Sequence, residues 1–189
     1  GSTPLYWHLY ALIWRWLAVW SFWLCLKALW PDQHRQNFFV AALFALHPIY
    51  TLQVFPICFF DVWLAYTLLF LSFYLTILAI QNPDKGWIFM TAAFVLAVGR
   101  VFTSEYTWFV ELMRPLFIWL ILPAEEPRRK KITQTVMRWL PFLAVFIASL
   151  IWRGFFITST RKYFQVSADL FLNPFKFIFT WSMDLLPDI

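Results

Sequence analysis

The sequence predicts an all-α fold, a polytopic integral membrane bundle of about six or seven helices, and two observations carry this prediction. Of the 189 residues, 62% are hydrophobic and only 13% are charged, whereas an ordinary soluble domain has about 45–50% and about 25%. Aromatic residues make up 23% of the chain, and a soluble protein of this size would expose so many rings in aggregation-prone patches. Because one membrane span uses about 20 residues, six or seven spans with short turns use up the whole sequence. No room is left for a catalytic domain outside the membrane.

Seven apolar segments, separated by charged, proline or turn residues, account for the predicted helices. They cover about residues 5–30, 37–55, 62–80, 87–102, 106–122, 132–157 and 164–186. Pro48 and Pro56 interrupt the second segment, so we expect a kinked or broken span there. A tight turn is predicted after the third segment, from Asn82, Pro83 and Gly86. The fourth and fifth segments together predict a helical hairpin. The last segment mixes charged and aromatic residues, which fits a helix at the membrane interface as well as a span.

The distribution of Lys and Arg over the connections orients the chain. By the positive-inside rule, loops 27–36, 81–86 and 123–131 are cytoplasmic, which fits a bacterial cytoplasmic membrane. We expect one transmembrane domain over residues 1–189, ending in C-terminal helices over 132–189. The basic residues expected to contact lipid headgroups are Arg100, Arg128, Arg129, Lys130 and Lys131. A basic block beside a span is typical of a headgroup anchor, so no nucleic-acid partner is indicated.

Ionisable residues within the apolar segments are costly in hydrocarbon, so each of them is a candidate site. Glu111 and Arg114 stand three residues apart on one helical face and predict an intramembrane ion pair. The alternative for Arg114 is a contact with a lipid phosphate or a substrate. His47 precedes Pro48, where a helix opens, so we expect it to bond the helix end; ligation of haem or chlorophyll is the alternative. The three histidines lie on different segments without ligand spacing, so no metal site is predicted.

Two short motifs carry a resemblance to a known family. The matching residues are Phe44, Leu46, His47 and Pro48 in a Phe-x-Leu-His-Pro motif, and Glu105 and Pro115 in a later motif that opens a helix. In their order and spacing over residues 4–122, the segments resemble the middle helices of the GT-C class of membrane glycosyltransferases. The likeness is to the O-mannosyltransferase type that carries tetratricopeptide repeats. The resemblance implies a GT-C-like core and a polyprenyl-phosphate sugar as donor.

The chain departs from the family's pattern at positions that matter for catalysis. Thr51, Leu52 and Gln53 stand where family members usually place an acidic residue, and Ser104 stands in place of a lysine. The outer loop that holds the family's catalytic acidic residue would precede residue 1. Sugar transfer needs a carboxylate to activate the acceptor, and cationic groups or a metal to hold the departing phosphate. The residues present do not supply these groups as a set.

Two functional hypotheses follow. The first, favoured by the missing acidic residues, is a non-catalytic subunit or scaffold of a larger membrane complex. It would bind other membrane subunits and lipids, or pigments, through its aromatic faces, and the sequence requires no cofactor for this role. The second is a polyprenyl-phosphate-sugar-dependent glycosyltransferase, or a fragment of one, that uses Glu105, His47 and Arg114 as catalytic residues.

Overall fold

The computed structural model describes residues 4–46 and 56–156, which contain helices and no strand. The α-helices of these ranges are α1 (Pro4–Leu29), α2 (His34–Leu46), α3 (Pro56–Gln81), α4 (Gly86–Val101), α5 (Arg114–Ile121) and α6 (Arg128–Phe156). A short 3-10 helix, Pro83–Lys85, joins α3 to α4, and a longer one, Glu105–Met113, joins α4 to α5. We call the longer one the 3-10 segment. The predicted all-α fold is confirmed.

Three stretches within these helices are long and apolar enough to cross a membrane: Leu5–Leu29, Asp61–Gln81 and Arg128–Trp152. Their length and composition are consistent with the predicted association with a membrane. The total of six or seven spans stays a prediction. The break expected at Pro48 and the segment expected over 164–186 lie outside the described residues.

Helices α1 and α3 run parallel in a fixed register. The Thr67 hydroxyl donates a hydrogen bond to the Trp14 carbonyl at 3.3 Å, and the Gln81 side-chain amide donates one to the Ala28 carbonyl at 2.9 Å. Each of these bonds joins residues that are 53 positions apart in the chain. Residues 28 and 81 therefore lie at the same end of the bundle, as the predicted topology requires.

The face that α1 buries is built from small residues. Ala18, Ser21 and Cys25 follow one another at intervals of three and four positions, and all three are buried. Cys25 packs in a core cluster with Leu69 and Phe73 of α3. Small side chains let two membrane helices approach closely, which increases the van der Waals contact between them.

Helices α3 and α4 form a tight antiparallel pair. The Ser72 hydroxyl donates a hydrogen bond to the Ala93 carbonyl at 2.6 Å. Seven residues further along α3, the Ala79 carbonyl oxygen lies 2.8 Å from the position that a Cβ on Gly86 would take. The absence of a side chain at Gly86 therefore lets the start of α4 lie against the backbone of α3.

The fifth apolar segment is not the single helix that the sequence predicts. It folds as the 3-10 segment followed by the eight-residue helix α5. At the junction, the Arg114 N–H bonds to the Glu111 carbonyl, three residues back, as in a 3-10 helix. Pro115 has no N–H to give to that carbonyl, which an α-helix running through this point would require. Proline is well accommodated in the first turn of a helix, and α5 begins there.

The chain divides into two compact units, Gly1–Ile147 and Ala148–Ile189. The first unit holds α1 to α5, most of α6 and all the contacts given in this section. The described residues of the second unit are the last turns of α6. A single transmembrane domain over residues 1–189 stays a prediction.

Candidate functional site

Three charged side chains meet in the interior of the first unit. They are Arg100 near the end of α4, Glu111 in the 3-10 segment and Arg114 at the start of α5, and each is at most 1% exposed. We call these three residues the arginine–glutamate cluster. Charges so deeply buried are rare unless they are paired, because burial removes their hydration.

Glu111 lies between the two arginines and bonds to both. Its Oε2 accepts hydrogen bonds from Arg100 Nη2 at 3.0 Å and from Arg114 Nη2 at 3.2 Å. Its Oε1 accepts a further bond from Arg114 Nε. The Glu111–Arg114 contact is therefore a two-bond fork, the geometry in which a guanidinium and a carboxylate fit best.

Arg114 also joins the 3-10 segment and α5 to α3. Its Nη1 donates to Thr76 Oγ1 at 2.6 Å and to the Ser72 carbonyl at 3.2 Å, and its Nη2 donates to Ser72 Oγ at 2.9 Å. The guanidinium carbon lies 4.6 Å from the ring centre of Phe73 and 3.8 Å from that of Phe142. Cation–π contacts of this kind are favourable when the cation is desolvated. Because Phe142 belongs to α6, Arg114 links four helical elements.

Arg100 gives the cluster an excess of positive charge. Its Nη1 donates to the Thr107 carbonyl at 2.6 Å and to Thr107 Oγ1 at 3.3 Å. Two guanidinium groups share the single carboxylate of Glu111. The cluster therefore carries a formal charge of +1, and Arg100 Nε has no hydrogen-bond partner among the described residues.

The geometry of the cluster suits a structural role better than a chemical one. The carboxylate of Glu111 accepts bonds from both arginines, and every nitrogen of the Arg114 guanidinium donates within the protein. A general base or a phosphate-binding group must reach its substrate, and the burial of these groups prevents that. Among the described residues, no group of three or more His, Cys, Asp or Glu is placed to hold a metal ion.

The predicted site residues fall into three groups: a pair that the structure brings together, a residue whose position differs from the expectation, and residues that are not described. Glu111 and Arg114 form an ion pair at the i, i+3 spacing. Arg100 was expected at a lipid headgroup, and the structure corrects this: it is 1% exposed because it turns inward to Glu111 and Thr107. His47 lies outside the described residues, as does the side chain of Glu105, whose backbone begins the 3-10 segment.

Sequence reasoning missed the link between Arg100 and Glu111. These residues stand 11 positions apart on either side of a turn, and no helical periodicity connects them. The available signal was compositional: two arginines and one glutamate in neighbouring apolar segments imply a shared counter-ion.

The basic block at the start of α6 contains lysines that bond within the protein and arginines that are exposed. Lys131 donates to the Leu122 carbonyl at 3.0 Å, and Lys130 pairs with Glu126 at 2.9 Å. The hydrogen bond from Lys130 holds the pKa of the Glu126 carboxyl below its ordinary value. Arg128 and Arg129 are exposed. Their contact with lipid headgroups stays a prediction, and these two are the members of the block best placed to make it.

A separate cavity of about 270 Å³ opens beside α1 and α3. It is lined by His8, Ala11, Leu12, Arg15 and Trp63. Arg15 lies over the Trp63 ring at 5.4 Å and donates a hydrogen bond to the Ala45 carbonyl at the end of α2. The guanidinium of Arg15 thus contributes to the packing of α1 against α2 and α3.

Comparison with models of protein families, with curated proteins and with solved structures finds no match to this chain. The resemblance to membrane glycosyltransferases therefore stays a prediction.

Proposed function

We propose that this chain is a non-catalytic integral membrane subunit that packs against another membrane protein through an aromatic face of α1. In this proposal the protein lies in a bacterial cytoplasmic membrane with loops 27–36, 81–86 and 123–131 on the cytoplasmic side. Arg128 and Arg129 contact anionic headgroups there. The reduced GT-C-like core serves as a scaffold.

The observation that carries the proposal is a stripe of large exposed side chains along α1. The stripe comprises Tyr6, Leu9, Ile13, Trp16 and Trp20, which are between 47% and 72% exposed. Its members alternate at intervals of three and four positions, so the stripe repeats every seven residues. This is the spacing by which one helix packs along another.

Trp16 argues for a protein neighbour in place of lipid. It is 72% exposed, lies near the middle of α1 and makes no hydrogen bond to any residue that the structure describes. Tryptophan in membranes favours the headgroup region, where its N–H finds a partner. In the hydrocarbon core, a helix that offers a hydroxyl, amide or carbonyl acceptor would satisfy the indole N–H, and lipid tails would not.

The enclosed arginine–glutamate cluster supports the non-catalytic part of the proposal. Arg114, which the glycosyltransferase hypothesis assigns to catalysis, is fully buried, and its donors are occupied by Glu111, Thr76 and Ser72. A group in that position stabilises the packing of helices and does not contact a lipid-linked sugar.

Photocrosslinking from α1 in native membranes tests the proposed partner surface. We expect a photoreactive residue at Trp16 or Trp20 to give one discrete protein adduct of constant mass, because both positions face the same neighbour. The control is Val95, which is 61% exposed on α4 and outside the stripe. Lipid adducts alone at Trp16 and Trp20, or purification of the chain as a stable solitary monomer, would count against the proposal.

A transfer assay tests the absence of catalysis. We expect the chain, reconstituted in vesicles with a polyprenyl-phosphate sugar and a peptide acceptor, to transfer no sugar, with Glu105→Gln indistinguishable from the unaltered protein. Glu105 is the relevant residue because it is the carboxylate that the glycosyltransferase hypothesis uses. Transfer that is lost in Glu105→Gln would establish the competing function.

A further inference from the structure

The excess charge of the arginine–glutamate cluster calls for a second anion. Two buried guanidinium groups share one carboxylate, and an uncompensated charge in a low-dielectric interior is strongly unfavourable. The missing negative charge must therefore come from outside this set of side chains.

Two unpartnered donors mark where such an anion would bind. Arg100 is 1% and Ser104 6% exposed, and neither Arg100 Nε nor Ser104 Oγ has a hydrogen-bond partner among the residues that the structure describes. The two residues lie at the same end of α4, where the Ser104 N–H bonds to the Arg100 carbonyl. Buried donors without partners are uncommon in native proteins, and an unseen ion or water is a usual explanation.

The backbone adds a third element at the same place. Ser104 is the residue that precedes the 3-10 segment, and its side chain makes no capping bond. The first N–H groups of a helix have no partners within it, so a helix start attracts negative charge. An anion held by Arg100 Nε and Ser104 Oγ would also lie near these N–H groups, because Ser104 directly precedes them in the chain.

We propose that the junction between α4 and the 3-10 segment binds one small monovalent anion, a halide such as chloride, through Arg100 and Ser104. This inference goes beyond the proposed function and does not depend on it. The ion neutralises the cluster and caps the 3-10 segment. A halide fits better than a phosphate because both side chains are more than nine-tenths buried. It also fits better than a water molecule, because water supplies no negative charge.

Thermal unfolding of the full chain in detergent micelles tests the site. At constant ionic strength, replacing sodium gluconate by sodium chloride should raise the melting temperature by about 3–5 °C for each tenfold increase in chloride above the dissociation constant. Crystals grown in bromide should give one anomalous peak beside Arg100 and Ser104. A melting temperature that is the same in chloride and gluconate would overturn the proposal.

Variants locate the effect. Ser104→Ala should weaken chloride binding about tenfold, because a hydrogen bond to a charged ligand is lost. Arg100→Gln should abolish the chloride dependence, and if that variant does not fold, Ser104→Ala decides alone. Thr103→Ala, one position away, should keep the full response. A chloride response unchanged in Ser104→Ala would contradict the assignment. A second outcome would also contradict it: the unaltered chain shows no chloride response, and Glu105→Gln shows one. The carboxylate of Glu105 would then be the anion that neutralises the cluster.

Discussion

Replacing Glu111 by glutamine should lower the free energy of unfolding by about 3–5 kcal/mol, the usual cost of breaking a buried ion pair from one side. Glu111 provides the one carboxylate that Arg100 and Arg114 share. The substitution keeps the shape of the side chain but raises the formal charge of the cluster from +1 to +2. Glutamine keeps one acceptor oxygen but turns an N–H2 donor toward the arginines, so the loss includes both the charge of the carboxylate and part of its hydrogen bonds.

Chemical or thermal unfolding of the unaltered chain and of Glu111→Gln in the same detergent measures this loss of stability. A glutamate-to-glutamine substitution at another position provides the control. Glu126→Gln also removes a carboxylate paired with a basic residue, but Lys130 is exposed and water replaces the lost partner, so little change is expected. The double variant Glu111→Gln, Arg100→Gln should lose less stability than the two single losses added together, because it restores a charge of +1. Equal, small effects at Glu111 and Glu126 would show that the cluster does not stabilise the fold.

Gly86→Ala should lower the free energy of unfolding by about 1–3 kcal/mol, an effect second only to that of Glu111→Gln. The added Cβ would lie 2.8 Å from the Ala79 carbonyl oxygen. Because that oxygen belongs to the backbone of α3, neither atom can move aside without separating α3 from α4. The shift would also disturb the Ser72–Ala93 hydrogen bond further along the pair.

Gly99→Ala is the matched control, since it makes the same chemical change in the same helix. A Cβ at Gly99 meets no atom within 4 Å. There the substitution should raise stability by up to about 1 kcal/mol, because alanine favours helix more than glycine does. Unfolding curves of the two variants should therefore move in opposite directions, and a loss of similar size in both would rule out the close approach of α3 and α4 as the cause.

Local sequence patterns predicted the parts of this structure that depend on composition and short spacings. The apolar segments indicated the long helices, and the three-residue interval between Glu111 and Arg114 indicated that these two side chains would face each other. Turn residues indicated the tight connection that ends at Gly86. Each of these inferences uses residues within one helix or one turn, where spacing determines geometry.

The remaining parts depend on contacts between distant segments, which spacing does not encode. Arg100 was expected at a headgroup because it ends an apolar run, yet the 3-10 segment brings Glu111 within 3.0 Å of it. The 3-10 geometry itself was missed, although Pro115 is the residue that sets its end. The positive excess of the cluster became visible only when Arg100, Glu111 and Arg114 were seen to be mutual neighbours.

The parallel alignment of α1 with α3 has a consequence for biosynthesis. Two neighbouring helices that point the same way cannot meet until the chain has run back between them, so α1 packs against its main neighbour only after α3 is made. A nascent chain that ends before Thr67 leaves the carbonyl of Trp14 without the hydroxyl that later bonds to it, and leaves Ala18 and Ser21 without the helix that covers them. During that interval α1 has only α2 beside it, and the face that it later buries against α3 stays uncovered.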